Sequence, residues 1–232
     1  MKRSVLIEDF TGQNCVNCPA ATEVIEQLQD EYGDSVIIAV GIHSGPFGHR
    51  STMSSARLSL CTETGDEYYT RFGIESQPGV MINRSAPIYN QAQYGTAVYE
   101  ALQKTTPLEL ALGVEYDVDT RNVSIDIEAT TSENVSGKLQ VWVVENNIVD
   151  VQYMPDGSLN MAYVHQHVFR TSVTSDIFGD DFNVMDTAPK RVSYQVNLDE
   201  AWKAEDVSIV AFVSNANDGV LQVVRTELKI NE

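Results

Sequence analysis

Apolar residues recur along this chain with two different periods, and the change falls near Pro107. In the first half, short continuous runs alternate with helical spacings. Val5-Leu6-Ile7 followed by Glu8-Asp9-Phe10 reads as a buried strand ending in acids. Ala21, Val24, Ile25, Leu28 and Tyr32 recur at the three- and four-residue steps of one amphipathic helix face, and Gly33 is a natural stop. Val36 to Val40 is a short apolar run, the pattern of a strand covered on both faces in a parallel sheet. Strand, helix and strand in that order make a βαβ unit. Residues 43–66 then break the regularity with the loop His43-Ser44-Gly45-Pro46-Phe47-Gly48-His49 and weak helical patterns through Leu58 and Leu60. A short aromatic-rich helix is expected over 66–72. Pro78 comes immediately before the apolar run Gly79-Val80-Met81-Ile82, a position that suits a cis bond. A last helix is expected over 91–104, with Tyr94, Val98, Ala101 and Leu102 on one face.

Beyond Pro107 the period becomes two. Leu108, Leu110, Leu112, Val114 and Tyr116 alternate with more polar or smaller neighbours, as do Val123, Ile125, Ile127 and Ala129, and later Val192, Tyr194, Val196 and Leu198. Further strands are expected over 138–145, 149–153, 161–173, 207–214 and 220–230, with turn signals at Asp156-Gly157 and Asp218-Gly219. Seven or eight strands of this kind fit an all-β immunoglobulin-like sandwich, without the paired cysteines of antibody domains.

Length agrees with the switch in period. A chain of 232 residues exceeds the usual single domain, so the expected organisation is one domain over 1–106 and another over 107–232. The net charge of −18 is divided unevenly, −5 before the boundary and −13 after it. Such an acidic chain is a poor partner for nucleic acid or an anionic membrane surface. No apolar run is long enough to span a bilayer. Met1-Lys2-Arg3 leads straight into a strand with no signal-peptide pattern, which suits a cytosolic protein or one trimmed of its leader. Three cysteines are too few for a disulfide scaffold and suggest chemistry more than stapling.

Two of those cysteines stand in Asn14-Cys15-Val16-Asn17-Cys18-Pro19, just after the first strand and at the start of the first helix. Cysteines three apart in a first helical turn can close a disulfide, and the unpaired N–H groups there favour a thiolate on the first. On this reading Cys15 is the nucleophile and Cys18 the resolving thiol. Pro19 is tolerated because the first turn offers its missing N–H no partner. Two other readings of the pair remain: half of a zinc site, although no second metal-spaced motif follows, and a permanent structural disulfide.

The order of strand, CxxC at a helix start, strand, helix, X-Pro, strand and final helix resembles the thioredoxin fold. That resemblance implies an α/β thioredoxin-like domain with an insertion at about 43–66. It also implies that Asp9 is a buried proton relay and Pro78 a cis-proline substrate platform. Gln77, Val16 and Asn17 would then border the substrate. Val16-Asn17 departs from the family's Gly-Pro, so no redox poise is implied. More narrowly, Val5 to Pro19, Pro78 to Arg84 and Tyr163-Val164-His165-Gln166-His167-Val168-Phe169-Arg170 resemble the 28-kilodalton outer membrane protein family, envelope lipoproteins of Bacteroides-type bacteria, some described as adhesins or receptors. This likeness implies the periplasm or outer membrane surface, with membrane attachment only through a lipid anchor that this chain lacks.

Weaker candidates complete the reading. His43 and His49 flank a Gly/Pro loop and could join the cysteines on a soft metal, against an ordinary loop. His165 and His167 share one strand face, and Asp176, Asp180, Asp181 and Asp186 follow in what reads as a loop of solvated acids rather than a calcium site. Cys61 reads as a half-buried core thiol. Two functions from different classes follow. One is a thiol–disulfide oxidoreductase acting on protein or small thiol substrates. The other is a surface-exposed binding or adhesin-like protein with an envelope partner and a structural or vestigial disulfide. Neither implies a cofactor or a resident metal.

Overall fold

The computed structural model describes residues 1–50 and 57–230. The middle of the expected insertion, 51–56, lies outside the described residues. The first apolar run forms strand β1 (Val5–Thr11), buried at every position. Helix α1 (Cys18–Tyr32) follows, with Pro19 in its first turn and Gly33 at its end. Strand β2 (Ile37–His43) lies parallel to β1, with Val5 opposite Ile37. Helix α2 (Glu63–Arg71) begins three residues earlier than the aromatic pattern suggested, because Thr62 caps it by accepting the Gly65 N–H. Strand β3 (Gly79–Ile82) starts after a cis Gln77–Pro78 bond and runs antiparallel to β1. A 3-10 turn leads into helix α3 (Tyr94–Leu102).

The second half is strands throughout: β4 (Leu108–Asp117), β5 (Asn122–Thr131), β6 (Val135–Glu145), β7 (Ile148–Tyr153), β8 (Leu159–His165), β9 (Val168–Ser172), β10 (Asp180–Val184), β11 (Lys190–Asn197), β12 (Val207–Asn215) and β13 (Gly219–Glu227). The run expected as one strand over 161–173 is broken at Gln166 and His167, where His167 takes a positive φ of 56°.

The expected architecture, an α/β thioredoxin-like domain followed by an all-β immunoglobulin-like sandwich, is not what the chain forms. Among the described residues thirteen strands stand against three α-helices. Strands β1–β3 do not close a sheet of their own: they belong to an eight-stranded sheet ordered β13-β12-β6-β9-β2-β1-β3, with β10 also on β6. The reason lies at the outer edge of β2. There Gly41 presents no side chain, and its N–H donates to the His167 carbonyl at 2.7 Å. Periodicity reports which faces a strand buries but not which strand lies beside it.

One face of the large sheet carries Leu6, Phe10, Ile38, Val40 and Ile42 together with Trp142, Phe169 and Phe212, covered by Tyr68 of α2. On the opposite face α1 and α3 pack over Val5, Ile7, Ile37 and Ala39. Further along that molecule the three-stranded sheet β11-β5-β4 buries Val123, Ile125 and Ile127 against Leu139, Val141, Val143 and Ile209. Strands β7 and β8 form a separate hairpin.

Candidate functional site

The loop between β1 and α1 is held from both sides. Asn14 N–H donates to the Phe47 carbonyl at 3.0 Å, and a Cβ at Gly12 would come within 2.3 Å of that same oxygen, so only glycine fits. Cys15 N–H closes a turn onto the Gly12 carbonyl at 3.0 Å. Cys15 and Cys18 are joined as a disulfide with their Cα atoms 5.4 Å apart. Both are almost wholly covered, Cys15 2% and Cys18 1% exposed, while Val16 between them is 39% exposed.

The cover is the β7–β8 hairpin. Gln152 Nε2 donates to the Cys15 carbonyl at 2.9 Å and the Gly12 carbonyl at 3.3 Å, and Tyr153 N–H donates to the Gln13 carbonyl at 2.9 Å. Gln13 Nε2 in turn reaches Asp150 Oδ2 at 3.0 Å. Sequence reasoning missed Gln152 and Asp150 here. Their sole local signal was a short strand pattern, and their partners lie about 140 positions away.

Behind the disulfide a cavity of about 30 Å³, room for one water, is lined by Asp9, Cys18, Thr22, Glu26, His43 and His165 among others. Asp9 lies on the α1 side of β1, and burial pushes its carboxyl up to about 7. His43 and His165 meet edge to face at 5.2 Å between ring centres. Burial holds His43 well below the usual imidazole range, and His165 falls to about 4 for the same reason, opposed by its bond to the Val151 carbonyl. Both rings are therefore neutral at pH 7. Asp9 Oδ1 and His43 Nδ1 have no hydrogen-bond partner among the described residues.

The structure thus brings Asp9, Cys15 and Cys18 together. Pro78 comes one residue before Gly79, which is paired with Phe10, and is itself buried. Gln77 is turned inward: its Nε2 donates to the Thr11 and Ser44 carbonyls at 2.6 and 3.0 Å, and its Oε1 accepts from Phe47 N–H. Val16 and Asn17 are exposed beside the cysteines.

His43 faces His165 rather than joining His49, and His167 Nε2 pairs with Gln29 Oε1 at 3.1 Å, so His165 and His167 do not share one strand face. Asp180 and Asp181 lie in β10 rather than a loop, Asp180 accepting from Ser175 and Tyr194, and Asp181 paired with Lys138 at 2.7 Å. Among the described residues no three His, Cys, Asp or Glu side chains converge as a metal site. Cys61 is half-buried, and burial pushes its thiol up to about 11.

Fold and site together define a strand-rich protein that keeps an N-terminal disulfide under a hairpin. The family described as outer membrane protein Omp28 matches residues 65–232, and the chain belongs to that family. It is accordingly a protein of the cell envelope. Among solved structures, HBP35 of Porphyromonas gingivalis is similar over 98% of this chain and 76% of its own, at 18% identity and a TM-score of 0.76. Protein AGR_C_4864 from Agrobacterium tumefaciens is similar over 100% of this chain and 99% of its own, at 16% identity and a TM-score of 0.56. At these identities the likeness concerns the fold alone. A domain of the outer membrane lipoprotein Omp28 from Porphyromonas gingivalis covers 56% of this chain at 20% identity and a TM-score of 0.39. No curated protein matches the chain in sequence.

Proposed function

We propose that this chain is an envelope binding protein in which the Cys15–Cys18 disulfide is a structural clamp. The observation that carries this reading is the 2% exposure of Cys15 beneath a hairpin that is hydrogen-bonded directly to its carbonyl. Thiol–disulfide exchange requires in-line approach of a partner sulfur, and a covered sulfur does not admit one. The clamp instead fixes the β1–α1 loop as a floor for the hairpin. An anchor by lipid, as the family resemblance implies, belongs to the same reading.

One observation favours a second reading, exchange at Cys15 with Cys18 resolving. Asp9 lines the same cavity as Cys18 and titrates near neutrality, which suits a group that passes protons to a thiolate. Pro78, Gln77, Val16 and Asn17 would then border the substrate. Exchange requires the hairpin to lift first.

The two readings separate on the native protein in a glutathione redox buffer at pH 7. The clamp reading expects the disulfide to stay closed and unalkylated, and Cys18→Ser to trap no mixed disulfide from envelope extract. Rapid reduction, with a partner captured through Cys15, would replace the clamp by the exchange reading.

A further inference from the structure

A cleft of about 690 Å³ opens between three elements: the turn after β3, helix α3 and the turn that joins β12 to β13. It shares no lining residue with the cavity behind the disulfide. Asn83 and Arg84 take consecutive left-handed conformations in the first of these turns, with φ of 51° and 60°. Few residues other than glycine adopt that backbone, and where they do they gather at functional sites. The β12–β13 turn fixes them there. Val220 N–H donates to the Asn83 carbonyl at 3.0 Å, and a Cβ at Gly219 would collide with the same oxygen.

The floor of the cleft is rich in donors and short of acceptors. Asn83 Oδ1 accepts from Leu6 N–H, but its Nδ2 has no partner among the described residues. Arg3 gives Nη2 to the Asp218 and Val220 carbonyls, while its Nε has no partner among them. Both residues are more than nine-tenths buried. Arg84 reaches Glu8 through Nε and Nη2, which leaves the Nη1 edge, and the rings of Phe72, Trp142 and Phe212 fix the guanidinium in place. Lys104 enters the same cleft from α3, and Lys138 lines it while bonded to Asp181 at 2.7 Å. Unpaired donors at a buried floor call for an acceptor.

The remaining lining selects which acceptor. A net charge of −18 disfavours multiply charged anions, so a single carboxylate suits the Arg84 edge better than a phosphate. Phe72, Phe178, Ile82 and Ala97 supply a carbon wall. Glu100 lines the cleft with Asn217 and Ser85, and a carboxylate there repels a bare anion but accepts from hydroxyl groups. We propose that this cleft binds a sugar acid, with its carboxylate on Arg84 and Lys104 and its hydroxyls on Glu100, Asn217 and Ser85. The site goes beyond the clamp reading and uses neither cysteine, so either can fail alone.

The probe is D-glucuronate, titrated into the full chain at pH 7 and followed by amide chemical shifts of the ¹⁵N-labelled protein. Saturable shifts centred on Ser85, Lys104 and Asn217 are expected, with a Kd of about 5 mM or tighter. The uncharged D-glucuronamide should bind about tenfold more weakly or worse. Arg84→Lys keeps a cation beside Glu8 but removes the second guanidinium edge, and should weaken binding about fivefold or more. Lys104→Gln, at an exposed position, should weaken it about threefold and reduce its salt dependence. Lys229→Gln removes the same charge past the opposite end of β13 and should change affinity less than about twofold. Circular dichroism checks each fold, and if Arg84→Lys does not fold, the contrast between Lys104 and Lys229 decides. No saturable shifts at these residues, equal affinity for acid and amide, or equal losses at Lys104 and Lys229 would overturn the proposal. So would inorganic phosphate that displaces glucuronate at a lower concentration than glucuronate itself needs, since the cleft would then serve another class of anion.

Discussion

Glu8 and Asp9 are neighbours in β1 and face opposite sides of the sheet. Asp9 lies under α1, where burial raises its carboxyl from 3.8 to about 7. A carboxyl raised on folding stabilises fully below its unfolded pKa and loses that contribution as pH climbs through its folded one. The loss between pH 4 and pH 8 is about 4 kcal/mol at most. His43, His165 and His167, all lowered by burial, act in the opposite sense below pH 6.5, so the Asp9 contribution is read as the difference between variant and wild type. D9N should match wild type near pH 4 and be the more stable protein at pH 8 in urea denaturation. Parallel profiles for the two would mean that Asp9 ionises freely in the fold. Glu8 points the other way, into the aromatic core, and pairs with Arg84 at 3.3 Å. The Arg84 guanidinium also stacks over Phe72, Trp142 and Phe212 at 4.9–5.8 Å. Arg84→Ala leaves a buried carboxylate uncompensated and should cost about 3–5 kcal/mol in the same measurement, with Glu8→Gln added on top recovering part of it. Asp9 was legible in the sequence because its distance from Cys15 is local. Arg84 was not: it lies 76 positions from Glu8, in a turn where it adopts a positive φ of 60°.

At the scale of elements, most of the strands and all three helices announced themselves through periodicity, because each buries one regular face. Two did not. Strand β10 is short and acidic, and only Phe182 and Val184 are buried, so it read as loop. The hairpin was legible as strand pattern but not as a cover, since its partners are backbone carbonyls of a distant loop. Its grip there is testable. Gln152→Ala removes a donor from the Cys15 and Gly12 carbonyls, which keep only their turn bonds to Cys18 N–H and Cys15 N–H, at about 1 kcal/mol. Dithiothreitol should then reduce the disulfide faster than in wild type, followed by gel shift after alkylation. An unchanged rate would mean that the hairpin does not control access.

Across the whole molecule, the strands of the two halves share one core, in which Leu6 and Ile38 belong with Trp142 and Phe169. The switch in period near Pro107 marks a change of strand type, and nothing in it reports that shared core, which needs side chains far apart in sequence. A fragment of residues 1–106 would expose that apolar face and the outer edge of β2. Expressed alone it is expected to aggregate or show poorly dispersed amide resonances, whereas a well-dispersed monomer would make 1–106 a folding unit in its own right. The join itself is narrow. Strands β2 and β9 are paired at one position, Gly41 with Val168, whereas β1 and β2 are matched over seven. In mechanical terms the sheet resembles a plank with one weak glue line. Tension along its strands is borne by long ladders, but tension across it falls on the single rung at Gly41 and on the few bonds that Arg3, Ser4 and Asn83 make to β13. A tug at an envelope surface directed that way would open the plank there first and leave the boards on either side whole.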